Sequence, residues 1–288
     1  MSGSRRLIVA ADDFGMSAGV NAGIIRAHRD GILTEASLMV NGQAFGEAVE
    51  LARAHPRLSV GLHLMLVQGH AAAPPASIPL LAGPDGMFSN APIWSGMRFF
   101  FTPGLRAQLR REITAQLDKF AATGLTLSHV DGHLTIHMHP SVTEILIDLA
   151  ERYRIRAVRL PRESLARALR YDRRHLVRKV FEGAAFSALS RWARPRLRRA
   201  GVRHPDRMSG LHQTGHVSEP YVLSLLATLP AGVNELYCHP AVVDDEARRW
   251  RPADYESGQE LAALTSGRVR AAIEREGIEL ISYRDLSR

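Results

Sequence analysis

The nine residues Leu7–Gly15, LIVAADDFG, decide the fold. Five apolar residues in a row, with no polar alternation, read as a strand buried on both faces, as the strands of a parallel sheet are. The run stops at Asp12 and Asp13, so two carboxylates are delivered to a strand-to-helix turn. Ser17 is placed to cap the next helix and Gly31 to end it. Outward from this unit the alternation recurs. Strands are expected over 33–40, 58–63, 125–130, 155–160, 233–238 and 278–283, and helices over 43–54, 105–122, 141–152, 218–228 and 257–276. Seven strands alternating with helices imply an α/β fold built on a parallel sheet, either open and doubly wound or curled into a (β/α) barrel.

Two long insertions interrupt the rhythm, at about 65–104 and 162–215, within what reads as one domain over 1–288. Insertions at the C-terminal ends of strands form the walls and lids of active sites in such folds. The first carries Trp94 and Phe99 to Phe101; the second is strongly basic. The whole chain of 288 residues has a formal charge of +8, but Arg152 to Arg207 holds 18 basic residues against 4 acidic ones. That segment is therefore +14 and the remainder −6, an acidic body with one basic insertion.

Several apolar strands end in groups that a core would reject. The first ends in Asp12 and Asp13, the third in His63, the fourth runs into His129, Asp131, His133 and His137, the fifth carries Arg159, and the sixth ends at Cys238 and His239. Parallel strands bring these ends to one rim. Four imidazoles (His129, His133, His137, His139) fall within eleven residues, which surface solubility explains poorly. A carboxylate with two neutral imidazoles is a three-donor set that leaves a divalent cation one open position for water. Asp13, His63 and His133 fit that set, and Asp12 is then free to act as general base. Each residue alone has a plainer reading, as a helix cap or a buried imidazole satisfied by a carbonyl.

The strings VAADDFG (9–15), TEASLMVNG (34–42), SVGLHL (59–64), HVDGHLTIHMHP (129–140), RAVRLPRE (156–163), YCHPA (237–241) and ISYRDL (281–286) resemble the YdjC-like carbohydrate deacetylases and span nearly the whole chain. The resemblance implies an incomplete seven-stranded (β/α) barrel, with the insertions at its active-site face. It also implies removal of an N-acetyl group from an amino sugar with one divalent metal ion. The ligands would be Asp13, His63 and His133, with Asp12 as base and His239 as the acid that protonates the departing amine. Asp131, His137 and Arg159 are expected around the ligands or the substrate. An alternative ligand set replaces His63 by His137, four residues after His133. Zinc suits an Asp and two His; magnesium, manganese and cobalt are the other candidates.

Within the family, the Arg-rich region and SGLHQTGHV (209–217) resemble the hopanoid-biosynthesis deacetylases. That implies an N-acetylglucosaminyl hopanoid as substrate, where other members take chitooligosaccharides. Arginines between 167 and 199 are interleaved with Leu169, Val177, Phe181, Phe186, Leu189, Trp192 and Leu197, the pattern of helices lying on an anionic membrane surface, and Pro195 is expected to divide them. No nucleic-acid partner is expected, because Asp12 and Asp13 would repel phosphate at the rim and no binding motif accompanies the charge. Self-association as a homodimer is kept open. One cysteine excludes an intramolecular disulfide, and no apolar run approaches the roughly 20 residues of a membrane span, so the expected place is the cytoplasm, peripheral at the inner membrane surface.

Overall fold

The computed structural model describes residues 4–287. The chain runs β1 (Arg5–Phe14), α1 (Ala18–Asp30), β2 (Glu35–Leu38), α2 (Phe45–Ala54), β3 (Ser59–Leu64), α3 (Pro92–Phe101), α4 (Leu105–Ala121), β4 (Leu127–Gly132) and α5 (Pro140–Tyr153). It continues through α6 (Leu165–Tyr171), α7 (Leu176–Arg199), β5 (Arg207–Ser209), α8 (Glu219–Ala227), β6 (Gly232–Cys238), α9 (Asp245–Trp250), α10 (Ser257–Leu264), α11 (Gly267–Arg275) and β7 (Ile278–Ile281). Every strand pairing is parallel, in the order β4-β3-β2-β1-β6-β5, and the sheet curls into a half-barrel.

β1 organises the sheet. β6 fills one of its edges along Arg5–Ala11; on the other edge β7 pairs with Arg5–Ile8 and β2 follows from Ala10 to Phe14. Alternation then sorts its side chains. Leu7, Val9 and Ala11 pack outward against the helices, whereas Ile8 and Ala10 join Met208, Tyr237 and Tyr283 inside the curl. Both faces are covered, which is why the run Leu7–Ala11 within the strand is apolar throughout.

Three expectations are corrected. Residues 155–160 form no regular strand: the segment spans the gap between β4 and β5 with isolated bridges, Val158 to Val130 and Ala157 to Arg203. Pro161 and Pro205 interrupt the donors a continuous ladder needs, and the seventh strand is instead β5, inside the second insertion. The helix read over 257–276 is two, because the Ser266 hydroxyl caps α11 by accepting from the Arg268 and Val269 amides. Pro195 lies within α7, which continues through it; the division falls at 172–175, where Lys179 donates to the Asp172 carbonyl and carboxylate and His175 is left-handed.

Candidate active site

The ends of the strands build one cleft. β1 delivers Asp12 and Asp13, β3 delivers His63, the turn His133–Met138 after β4 delivers His133, and His239 follows β6. All five line a cavity of about 280 Å³. Strict alternation would send Asp13 to the helix side with Ala11. Its φ of 69° and a shift of register between Ala11 and Phe14 keep its carboxylate at the rim instead.

Asp13 Oδ1 lies 3.5 Å from His63 Nε2 and 3.4 Å from His133 Nδ1. It is buried and accepts no hydrogen bond among the described residues, while Asp13 Oδ2 is held by Arg251 Nη2 at 3.0 Å. Each imidazole is fixed from behind. His63 Nδ1 is 2.8 Å from Asp131 Oδ1, and His133 Nε2 is 3.0 Å from Gln68 Oε1. Both oxygens can only accept, so the ring protons point to them and the lone pairs of His63 Nε2 and His133 Nδ1 face Asp13. One unsatisfied carboxylate oxygen between two imidazole lone pairs is a donor set that fits a divalent cation. Asp12, His63 and Asp131 form a second such group. Arg159 already supplies the positive charge there, with Nη1 2.8 Å from Asp12 and 2.6 Å from Asp131.

The electrostatics agree. Burial alone would lower His63, yet Asp131, Asp12 and Asp13 raise it above the ordinary imidazole value, so the centre favours a cation. Asp13 is desolvated too, but Arg251 and the nearby imidazoles hold its carboxyl well below the usual range. Burial lifts Asp12 to about 6 against the pull of Arg159. That value is close to what a base working near neutral pH requires. His239 stands between the rings of Tyr237 and Tyr255, at 5.5 and 5.2 Å, with Nδ1 unpartnered; burial pushes it down to about 3.

His137 is not brought to the cluster. Its Nε2 lies 3.0 Å from the Arg159 carbonyl, away from the cavity wall, and burial holds the ring neutral. Leu134 and Thr135 have φ of 52° and 60°, so His133 and His137 are not on one helical face, and the alternative ligand set has no structural counterpart. Beneath the cleft, Arg159 Nε donates to Glu235 at 2.8 Å, Tyr283 donates to the same carboxylate at 2.7 Å, and the Tyr283 ring stacks 4.0 Å from His129. Gln68, Arg251, Tyr255, Glu235 and Tyr283 escaped the reading of the sequence. Gln68 and Arg251 lie in irregular chain without periodicity, and only the alternation in β6, which turns Glu235 and Tyr237 to one face, carried a signal.

Against this geometry, the protein family described as YdjC-like matches residues 6–275. The chain belongs to the YdjC-like family. Among its YdjC-like relatives, the carbohydrate deacetylase of Geobacillus stearothermophilus is 34% identical over 284 residues, 98% of each chain. The carbohydrate deacetylase of Brevibacillus brevis is 43% identical over 156 residues, 54% of this chain and 59% of that one. The crystal structure of a proposed cellobiose-phosphate cleavage protein from Enterococcus faecalis V583 superposes with a TM-score of 0.76 at 28% identity, covering 98% of this chain and 99% of that one.

Proposed function

We propose that this YdjC-like chain is a metal-dependent carbohydrate N-deacetylase whose substrate is an N-acetylglucosaminyl lipid of the hopanoid class. The carrying observation is the convergence of Asp13, His63 and His133 around one unsatisfied carboxylate oxygen, with Asp12 on the wall of the same cavity. A divalent ion held by these three residues, zinc by the chemistry of the donors, supplies Lewis acidity toward the acetamide carbonyl and acidifies water.

The chain's own residues do the rest. Asp12, lifted to about 6 and restrained by Arg159, accepts the proton of the attacking water as its oxygen bonds to the acetyl carbon. Asp131 and Gln68 keep the two imidazoles in the required tautomers. The carbon–nitrogen bond breaks, acetate is released, and the sugar nitrogen needs a proton to leave as an amine. His239 is assigned that delivery. Being neutral at rest, it must first take up the proton that Asp12 accepted from water, so that passing it to the nitrogen returns both residues to their starting state.

The lipid reading is supported by apolar side chains left in water. On α3, Ile93, Trp94 and Phe101 are 84%, 58% and 78% exposed, and on α7 Val177 and Phe181 are 69% and 73% exposed beside Arg173, Arg174 and Arg178. Exposed apolar residues among arginines suit the surface of an anionic bilayer. No described helix is long and apolar enough to cross a membrane.

The test is acetate release from a lipid-linked and a soluble N-acetylglucosaminyl substrate, side by side, with and without a chelator. Chelator-sensitive release from the lipid-linked substrate is the expected result. Release from the soluble substrate alone would leave a deacetylase and overturn the lipid; release indifferent to chelation and to Asp12→Asn would overturn the chemistry.

A further inference from the structure

A second cavity, of about 440 Å³, lies between α7 and the segment that follows residue 160, and shares no wall residue with the deacetylase cleft. Five guanidinium groups line it: Arg162, Arg167, Arg191, Arg194 and Arg207. Among the described residues no ion pair joins any of them to a carboxylate. Arg162 and Arg207 donate instead to the backbone carbonyls of Asp206 and Ala231, and Arg191 to the Ser187 hydroxyl. Arg194 Nε is buried with no partner. The acid in the wall, Glu163, does not neutralise the cluster: its carboxylate accepts from the Gly210 and His212 amides.

An independent observation points to a missing ligand. His212, also in the wall, is 4% exposed, and neither ring nitrogen has a hydrogen-bond partner among the described residues. Gathering like charges costs stability unless something of opposite charge occupies the space between them. Guanidinium forks match the oxygens of a phosphoryl group, and several together exceed what one carboxylate could balance.

We propose that this cavity is a second, non-catalytic site that binds a phosphoryl anion, with Arg162, Arg191, Arg194 and Arg207 holding its oxygens and Ser187 and His212 completing the shell. The anion is either a free phosphate compound or the phosphate of a lipid headgroup, two sources with one chemistry. Separation from Asp12 and Asp13 lets the chain hold a phosphate without bringing it to the carboxylates that would repel it.

Equilibrium dialysis of the full chain with labelled pyrophosphate, and sedimentation with phosphatidylglycerol vesicles against phosphatidylcholine vesicles, distinguish the two sources. Saturable binding of one pyrophosphate per chain, or of phosphatidylglycerol alone, is expected. The Arg162→Gln/Arg194→Gln pair should weaken it about tenfold or more. Ser187→Glu places a carboxylate in the cavity from an exposed helix position, so it serves if the double variant fails to fold. It should abolish binding while acetate release from a soluble substrate is unchanged. The proposal is overturned if neither probe saturates, or if Arg196→Gln/Arg199→Gln, outside the cavity, reduces binding as much as Ser187→Glu. Binding that survives Ser187→Glu overturns it as well.

Discussion

Asp131 Oδ1 sits 2.8 Å from His63 Nδ1, and that contact turns the bare Nε2 of His63 toward Asp13. Replacing Asp131 by Asn keeps the volume but offers the ring an amide that can donate. A flipped ring or tautomer then costs about 10–100-fold in metal affinity. Elemental analysis after dialysis against graded chelator should show the loss, with acetate release falling in parallel. Full occupancy in Asp131→Asn would rule out this orienting role.

Gln68 does the same for His133 from a strained position, since its φ is 51°. Glycine accepts that backbone freely. Gln68→Gly should therefore leave the melting temperature within a few degrees of the parent, strain relief offsetting lost interactions. Metal affinity should still fall about tenfold. A large loss of stability at unchanged affinity would place Gln68 in the scaffold and not in the centre.

Two buried histidines set opposite limits on stability against pH. Burial opposes charge on His129, yet hydrogen bonds to Asp131 and Glu35 overcome it and raise the ring to about 9. That contribution is fully present below the unfolded value of about 6.5 and is lost as pH rises through about 9. His137, pushed by burial down to about 4, contributes stability above about 6.5 that is lost as pH falls through about 4. Thermal melts of metal-free protein should peak between these limbs, and His137→Gln should flatten the acid one by up to about 1.4 kcal/mol per pH unit. An acid limb of unchanged slope would show that His137 is not held neutral.

The exposed face of α3 offers a separation of effects. Trp94→Ser with Phe101→Ser removes two large apolar groups from the surface without touching the cavity wall. The double variant should keep kcat/KM on a soluble N-acetylglucosaminyl substrate and raise KM for the lipid-linked one. An equal loss on both would mean that α3 supports the cleft and not the lipid.

The reading of the sequence succeeded where periodicity carries the information. The run before Asp12, the histidines at the ends of β3 and β4, and the alternation of strands with helices follow from local pattern. It failed where one residue's backbone overrides pattern. Left-handed Leu134 and Thr135 separate His137 from His133, so the spacing of four that offered the alternative ligand set lies on no helical face. Pro195 misled in the other direction, because the packing of Ala193 and Leu197 carries α7 through it. Gln68 and Arg251 lie in loops, where composition says nothing about direction.

The isolated bridges of residues 155–160 have a mechanical consequence. Amides of Ile8, Ala10 and Ala11, residues paired on both edges of β1, should exchange with solvent only when the whole molecule unfolds, while those near Val158 are released by local opening of the seam. Arg159 lies in that seam and grips Asp12 and Asp131. Whenever the seam breathes, the base loses its clamp, so the joint between β4 and β5 also governs how long the chemistry stays assembled.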